Sequence, residues 1–332
     1  MLKYGSEDGF KYKKMFFKNL INILLFKHYL STLTINTYIL MNENKIIIAY
    51  LITSYGSYIH LKKLLLSLNE DNVYFYIHID KKSVMPTNLN SFTNIQFIKR
   101  HKVWWGGWSH QKAIFSLMRA AVKNNHSYFA LLSGSDYPIK DNNQLHLILN
   151  KGGEFISIVE GFPSAMKKEW ITNFYFDLFY RRKPNKPIWI KILLRIEKKI
   201  SLYFPKNNFP FEKVFFGPTW WVLSKPTVQY VLDFLDSNPQ YKKIFKNSFC
   251  CEEILIPTII GNSSINNLKG NLTYVDWSVH PGPAFISEKH IAIFCKESVN
   301  NEVGDNEAFF ARKFNDDSED ILNYIDKNLL FK

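Results

Sequence analysis

The feature that most constrains the fold is an alternation of short β-branched runs with amphipathic segments, which begins near residue 44. KIIIAYLITS is an apolar run typical of a buried parallel strand, and HLKKLLLSL after it has helical spacing. Further strands are predicted over VYFYIHID, NIQFIKR and SYFALLSGSDYPI, with an amphipathic helix over residues 109–124 that Ser109 would cap. This order predicts an α/β fold with a mostly parallel central sheet and helices on both faces.

The remainder of the chain fits a single domain over residues 44–332. We expect a nucleotide-binding half over about 44–150 and an acceptor-binding, catalytic half over about 151–315. The second half carries an aromatic β-like segment over 214–224. Residues 1–43 form a basic, apolar extension whose apolar run is interrupted well short of the ~20 residues that a membrane span needs. No small-residue cleavage site ends it, so a secretory signal is not expected.

Charge and cysteine content limit the function classes. The chain has 332 residues and a formal net charge of +13, a balance that suits nucleic acid, an anionic membrane or a phosphate-bearing substrate. No RNA-binding signature or basic-zipper pattern is present, so nucleic acid is not expected as a partner. Cysteine occurs three times, twice in adjacent positions, which indicates a reducing, cytoplasmic compartment rather than a disulfide framework.

Polar side chains follow several of the predicted strands. Thr53, Asp80, Trp105 and Asp136 fall at or just after strand carboxyl ends, where open α/β sheets bind ligands. For Asp136 a turn-capping role is equally consistent with its SGSDYP context. Neither a dinucleotide fingerprint nor a phosphate-binding P-loop occurs.

The sequence contains no Asp-x-Asp triplet of the kind that holds a divalent metal in many sugar-nucleotide enzymes. A diphosphate handled without metal would need fixed cations. Arg312 and Lys313, in the aromatic frame FFARKF, are the candidates. The alternative is a surface pair whose alkyl stems cover apolar residues.

Two adjacent acids, Glu252 and Glu253, precede the apolar run 254–260. They would cap the helix, since free N–H groups and the helix dipole favour acids there. One of them would alternatively serve as a general base, because apolar neighbours raise the basicity of a carboxylate.

Eight motifs occur in a fixed order. They are AYLITS…HLKKLL, YFYIHIDKKS, VWWGGWS, LLSGSDYPI, FFGPTWWVLS, EEILIPTIIGNS, YVDW and FFARKF. In this order the chain resembles glycosyltransferase family 14, the core-branching and I-branching β-1,6-N-acetylglucosaminyltransferases and the peptide xylosyltransferases. The resemblance covers about residues 45–315. It implies a GT-A-type fold, a UDP-sugar donor, and an inverting reaction that needs neither a metal nor another cofactor.

Site residues follow from the resemblance at matching positions. It implies Glu253 as the general base, with Glu252 as a capping or orienting neighbour. For the diphosphate it implies Lys313. Relatives often carry an arginine as a second diphosphate ligand where this chain has Gly282 in HPGP. Either Arg312 or Lys289 takes the place of that arginine, or the leaving group is held less firmly. The resemblance implies nucleotide contacts at Thr53, Ser54, Asp80 and Trp105, and sugar contacts at Glu160 and Trp277. From the residues themselves we add Lys81 for the nucleotide, and Asp136, Trp220, Trp221 and Glu252 for the donor or acceptor sugar. The two adjacent tryptophans alternate across a strand, so one is expected in the core.

The expected reaction transfers a sugar, GlcNAc in the first instance, from a UDP-sugar to a hydroxyl of a glycan. Alternatives are the same fold with UDP-xylose or another UDP-sugar, and a non-catalytic sugar-nucleotide or glycan-binding protein. A glycoside hydrolase pairing Glu253 with Asp136 or Glu160 would leave Arg312 and Lys313 without a role.

The richness in Asn, Lys and Ile indicates an AT-rich bacterial genome. We therefore expect a lipid-linked or lipooligosaccharide acceptor at the inner face of the cytoplasmic membrane. The basic segments 11–27 and 181–206 would suit peripheral contact with that anionic surface. For 181–206 the alternative is an ordinary amphipathic helix packed on the domain.

Overall fold

Twelve strands lie in the part of the chain that the computed structural model describes, which is residues 46–56, 58–163, 168–177, 186–203, 211–279, 282–296, 299 and 307–330. The strands are β1 (Ile48–Ser54), β2 (Val73–Ile79), β3 (Ile95–Phe97), β4 (Tyr128–Ser133), β5 (Asp136–Pro138), β6 (Glu154–Phe155), β7 (Val159–Glu160), β8 (Phe215–Phe216), β9 (Trp221–Ser224), β10 (Leu268–Lys269), β11 (Thr273–Val275) and β12 (Phe310–Arg312). The predicted extension over residues 1–43 lies outside the described residues, as do His280 and Pro281 of HPGP.

Helices connect most of these strands. They are α1 (Ile59–Leu68), α2 (Trp108–Ala121), α3 (Asn142–Asn150), α4 (Glu169–Thr172), α5 (Ile188–Tyr203), α6 (Lys225–Ser237), α7 (Pro239–Phe245), α8 (Leu255–Gly261), α9 (Ile291–Phe294) and α10 (Glu319–Ile325). Short 3₁₀ turns lie at Cys251–Glu253, Glu288–His290 and Asp316–Ser318, and a π-helical turn at Asp326–Leu330. Within the described ranges, no helix combines the length and the apolar character that crossing a bilayer requires.

The central sheet has the order β10–β6–β9–β4–β1–β2–β3. Its middle strands β4, β1, β2 and β3 are parallel, whereas β9 runs antiparallel to both β4 and β6. The β-branched run of β1 is buried along its length, as a strand covered on both faces requires. The mostly parallel sheet confirms the predicted α/β class.

Helices cover both faces of this sheet. Ile48, Tyr50 and Ile52 of β1 point into a core that includes α1, α3 and α10. Ala49 and Leu51 point to the opposite face, where α2, α6 and α8 pack. The two-residue period of a strand therefore divides one apolar run between two cores.

The segment predicted as a fourth strand is in fact two strands. β4 belongs to the central sheet, but after the Gly134 turn the chain enters a second, three-stranded sheet of order β11–β12–β5. There β5 pairs antiparallel with β12, which places Asp136 opposite Arg312. This small sheet brings the FFARKF motif to the carboxyl end of the central strands.

The amphipathic helix predicted over 109–124 is α2, and its N-terminus differs from the prediction. The Ser109 hydroxyl accepts the N–H of Trp104 at 2.8 Å and does not cap the helix. The Ser109 N–H instead donates to the Asp177 carboxylate at 2.6 Å. A Cβ at Gly107 would lie 1.8 Å from that carboxylate, so glycine is required for this approach.

Candidate active site

Arg312 lies in a recess between an aromatic ring and an acid. Its guanidinium carbon is 3.5 Å from the centroid of the Trp220 ring, and its Nε is 3.5 Å from Asp136 Oδ1. Nε and Nη1 are buried and have no hydrogen-bond partner among the described residues. A planar cation held in this way presents N–H donors suited to an anionic ligand.

The electrostatic environment of Arg312 connects it with the predicted base. Burial lowers the pKa of the Arg312 guanidinium, and the carboxylates of Asp136 and Glu253 oppose this effect through their negative charge. Of these two acids, Asp136 has the larger effect on the pKa of Arg312 and Glu253 the smaller. The predicted base and one predicted diphosphate ligand share one region of the molecule.

Asp136 has no exposed surface. Its carboxylate accepts the Ser133 N–H at 2.6 Å and the Ser133 hydroxyl at 3.1 Å. Burial raises the pKa of Asp136, while Arg312 and the Ser133 hydrogen bonds act in the opposite direction. The prediction that Asp136 contacts a sugar is therefore corrected, because its side chain contacts Arg312 and Ser133 from inside the protein.

Glu253 ends a 3₁₀ turn that precedes α8. Its carbonyl accepts the N–H of Gly217 at 2.9 Å, and its side chain is half-buried. A Cβ at Gly217 would lie 2.2 Å from the Ser157 carbonyl oxygen, so glycine alone fits between the two backbones. The first turn of α8 holds no acidic residue, and Ile254 is its N-cap. The two acids therefore do not cap the apolar helix.

Glu252 occupies a different environment from its neighbour. Its side chain is buried, and Oε1 lies 3.3 Å from Nδ1 of His110 in the first turn of α2. Oε2 is also buried and lacks a hydrogen-bond partner within the described ranges. Glu252 thus attaches the 3₁₀ turn to α2, and the less buried Glu253 is the acid with access to a ligand.

The predicted nucleotide residues lie at the carboxyl ends of β1 and β2. Thr53 is half-buried, whereas Ser54 is buried beneath Gly134, where an added Cβ would lie 2.6 Å from the Ser54 hydroxyl oxygen. Asp80 is buried and forms an ion pair with Lys82 at 2.6 Å, and Lys81 is exposed. This edge retains an accessible surface at Thr53 and Lys81.

Trp105 lies in the loop between β3 and α2. It is 37% exposed, and its ring packs edge-to-face on Phe249 with the centroids 5.4 Å apart. Cys250, next to Phe249, donates its N–H to the Gly106 carbonyl at 2.7 Å. The Trp105 loop is therefore attached to the segment that carries Glu252 and Glu253.

The two adjacent tryptophans separate as predicted from strand alternation. Trp221 is 3% exposed and belongs to the core on the α2 side of the sheet, so it has no face for a sugar. Trp220 is half-buried and supports Arg312. Trp277 is 46% exposed.

The remaining predicted residues have the following contacts. The Lys313 ammonium lies 4.7 Å from the centroid of Phe285. Lys289 forms an ion pair with Asp276 at 3.1 Å, and Asp276 also contacts buried His290 at 2.8 Å. Hydrogen bonds from Ser278, His290 and Lys289 hold the pKa of Asp276 below its usual range.

Glu160 is exposed and pairs with Lys213 at 3.0 Å. It lies on β7, which pairs with β8, and the segment after β8 carries Gly217 and Trp220. The described contacts thus connect Glu160 to the site only through this antiparallel strand pair.

Three residues that support the site were not predicted. Ser133 holds Asp136, His110 contacts Glu252, and Lys82 neutralises Asp80. Ser133 stands three residues before Asp136 in SGSD, a spacing that favours a side-chain-to-backbone turn and was the available signal. His110 and Glu252 are 142 positions apart, and no local pattern connects them.

No group of three or more His, Cys, Asp or Glu side chains within the described ranges has the arrangement of a metal site.

Comparison with known proteins adds the family. The family model described as "Core-2/I-Branching enzyme" matches residues 48–301. The β-glucuronosyltransferase GlcAT14B of Arabidopsis thaliana is 27% identical over 313 residues, which cover 86% of this chain and 66% of the plant protein. Xylosyltransferase 2 of Rattus norvegicus is 23% identical over 85% of this chain and 33% of its own length.

A human relative, the probable β-1,3-galactosyl-O-glycosyl-glycoprotein β-1,6-N-acetylglucosaminyltransferase 7, is 26% identical over 57% of this chain and 44% of its own length. The chain thus spans between one third and two thirds of these relatives. The crystal structure of mouse xyloside xylosyltransferase 1, apo form, aligns with 79% of this chain and 97% of its own at 11% identity and a TM-score of 0.35. Because the family model covers most of the chain, as the ordered motifs predicted, this protein belongs to the Core-2/I-branching enzyme family, and the relatives named above are glycosyltransferases.

Proposed function

We propose that this protein is an inverting, metal-independent glycosyltransferase that moves a sugar from a UDP-sugar to a hydroxyl of a glycan. Glu253 is the general base, and Arg312 and Lys313 stabilise the departing UDP. The observation that carries the proposal is Arg312 itself, whose buried Nε and Nη1 have no partner among the described residues and whose pKa is influenced by the charge of Glu253. In this proposal the proton acceptor and the leaving-group cation flank a common cleft, as a single displacement requires.

The proposed reaction is one displacement at the anomeric carbon. The acceptor oxygen forms a bond to that carbon as the bond to the diphosphate oxygen breaks on the opposite face, which inverts the configuration. The acceptor proton passes to the Glu253 carboxylate, which must approach within ~3 Å of the hydroxyl in the reactive complex. The negative charge that develops on the diphosphate is stabilised by Arg312 and Lys313, whose positions are fixed before the reaction.

Aromatic support holds both cations in place. Trp220 lies against the Arg312 guanidinium, and Phe285 lies against the Lys313 ammonium. Such contacts restrict the position of a cation through the ring face and do not by themselves cancel its charge. Lys289 is the weaker third candidate, because its ammonium is engaged by Asp276.

For the donor we propose UDP-GlcNAc first, with UDP-xylose and other UDP-sugars as alternatives on the same fold. The relatives carry glucuronosyl-, xylosyl- and N-acetylglucosaminyltransferase names, which supports a nucleotide-sugar donor without selecting one. For the acceptor we propose a lipid-linked glycan of a bacterial cell, met at the cytoplasmic membrane face. The nucleotide is assigned to Thr53, Asp80 and Trp105, and the sugar side to Glu160, Trp220 and Trp277.

Glu253→Gln tests the proposed base. We expect turnover to fall by about a thousandfold, within the range that general bases contribute, while UDP affinity stays within about threefold. Glu319→Gln, an acid-to-amide change at an exposed site on α10, is the matched control and should retain full activity. If Glu253→Gln were fully active, the assignment of the base would be wrong. A non-catalytic binding protein would show no turnover in either variant.

A thermal-shift series with UDP, UDP-GlcNAc, UDP-xylose and UDP-glucuronate, each with and without EDTA, tests donor choice and metal independence. We expect stabilisation by UDP-sugars that EDTA leaves unchanged. The donor that gives the largest shift is then used in turnover assays. A shift that disappears with EDTA and returns with a divalent metal would contradict the assignment of Arg312 and Lys313.

A further inference from the structure

Helix α5 has an outward face that combines apolar and basic rows. Ile188, Ile192 and Ile196 follow one another at four-residue spacing, and they are exposed to 69%, 47% and 43%. Lys191, Arg195 and Lys199 follow at the same spacing and form the adjacent row of the exposed face. Trp189, 56% exposed, and Tyr203, 88% exposed, extend the apolar row.

The opposite face of α5 attaches it to the domain. Ile190 and Glu197, two turns apart, are 3% and 4% exposed. The Glu197 carboxylate accepts the Phe176 N–H at 2.7 Å. The helix is therefore packed on the protein in the way the alternative interpretation of segment 181–206 required, and its outward apolar row is additional to that packing. Of this segment, 181–185 and 204–206 lie outside the described residues.

From these rows we infer that the outward face of α5 docks on an anionic lipid bilayer. A helix lying in the interfacial plane inserts apolar and aromatic side chains to the level of the headgroups and keeps Lys and Arg among the lipid phosphates. The apolar and basic rows of α5 are adjacent along its length, which is the arrangement such a position requires. A protein partner would need carboxylates spaced to match the three basic side chains of this row. An anionic membrane needs no such match, because its negative charge is spread over the whole surface.

The docking face is connected to the proposed base through short steps. Phe176, bonded to Glu197 of α5, is followed by Asp177, which accepts both the N–H and the hydroxyl of Ser109. The next residue of α2, His110, contacts Glu252 beside Glu253. A membrane held by α5 would thus be linked, through packed residues, to the turn that carries Glu253. Membrane docking itself does not depend on the reaction, so its test is independent of the proposed function.

The test is co-sedimentation of the full chain with vesicles of phosphatidylcholine alone and of equal parts phosphatidylcholine and phosphatidylglycerol. We expect binding to the anionic vesicles only, weakening as salt is raised. The double variant Ile192→Ser/Ile196→Ser should bind more than about tenfold more weakly, because it removes two insertable side chains. Arg195→Gln/Lys199→Gln should weaken binding by about tenfold or more. Leu147→Ser, at an apolar site 63% exposed on α3, is the control and should bind normally.

A site-specific probe locates the contact. An environment-sensitive fluorophore is placed at Ile192→Cys in a Cys295→Ser background, since Cys295 is exposed and Cys250 and Cys251 are buried. We expect a blue shift with anionic vesicles at position 192 and none at Leu147→Cys. Equal binding to neutral vesicles, or sedimentation without a signal at 192, would overturn the inference. So would a change in oligomeric state of Ile192→Ser/Ile196→Ser without lipid, which would identify the face as a contact between copies.

Discussion

Arg312 and Asp136 face each other across the antiparallel pair β5–β12, with Nε of the arginine 3.5 Å from the carboxylate. At this distance the pair is an ion pair without a tight hydrogen bond, and two guanidinium nitrogens keep their N–H groups unpaired within the described residues. Asp136 thus compensates the buried positive charge of Arg312 but leaves N–H donors of the guanidinium without a hydrogen bond. This relationship gives Asp136 a positioning role in place of the predicted contact with sugar.

Removing that compensation should destabilise the protein. Asp136→Asn keeps the shape and leaves the Arg312 charge buried alone, and we expect the free energy of unfolding to fall by about 3 kcal/mol. Ser133→Ala is the matched control, because it removes one hydrogen bond and keeps the charge, and it should cost about 1 kcal/mol. Urea denaturation measures both. Equal losses would show that the charge of Asp136 is not what matters at this position.

Trp220 and Trp221 should respond oppositely to substitution. Trp220→Leu removes the ring against the Arg312 guanidinium, and we expect UDP affinity to fall by about tenfold with little change in stability, whereas Trp220→Phe retains most of the affinity. Trp221→Leu opens space in the core and should cost about 3 kcal/mol of stability. Calorimetric titration with UDP and thermal unfolding separate the two effects. A Trp220→Leu variant with normal affinity would remove the ring from the proposed site.

The two adjacent acids should also separate. Glu252→Gln alters a buried carboxylate that contacts His110, so we expect reduced thermal stability and turnover within about tenfold of normal. Glu253→Gln should show the reverse, normal stability and lost turnover. His110→Asn tests the contact from the α2 side and should resemble Glu252→Gln. If Glu252→Gln were the inactive variant, the base would have been assigned to the wrong residue.

Buried histidines should make the fold sensitive to acid. Burial lowers the pKa of His60, His78 and His126 to about 4 in the folded protein, against about 6.5 when unfolded. A lowered folded-state pKa contributes stability that is complete above the unfolded pKa and lost as the pH falls towards the folded one. We therefore expect the free energy of unfolding to decrease between about pH 6.5 and pH 4, by up to about 1.4 kcal/mol per pH unit for each proton taken up.

His78 offers a direct test of that dependence. Its Nε2 accepts the His101 N–H at 2.9 Å, a contact that protonation would break. His78→Gln keeps a hydrogen-bonding group that does not titrate. The slope of the free energy of unfolding against pH should therefore fall by about the contribution of one bound proton. Urea titrations at several pH values measure the slope. A wild-type protein with constant stability from pH 6.5 to 4 would contradict the prediction.

Much of the fold could be predicted because its central strands are local apolar runs. β1 and β2 are seven-residue strands buried nearly throughout, and the helical spacing of α1 and α2 is unambiguous. β5 escaped prediction because its place in a second sheet depends on pairing with β12, more than 170 residues away. A pattern of single residues carries no information about a pairing of that range.

The sequence identified candidate site residues but not the contacts between them. Motifs identified Glu253, Arg312 and Trp220, whose chemistry is visible in the residue type. That Asp136 serves Arg312, and that Lys289 is engaged by Asp276, depends on how separate segments pack. The roles assigned to the site residues stay predictions until the variants described above are measured.

Gly217 fits closely between the Glu253 carbonyl and the Ser157 carbonyl, and this affects how a substitution at Gly217 would be interpreted. A methyl group there would meet the Ser157 backbone oxygen rather than a flexible side chain, and we expect the resulting shift of Gly217 to displace the turn that ends in Glu253, to which it is hydrogen-bonded. Gly217→Ala should therefore leave a protein that folds, retains its nucleotide affinity and yet turns over poorly. In a mutational scan for loss of activity, Gly217 would then resemble a catalytic residue, although glycine has no functional group in its side chain.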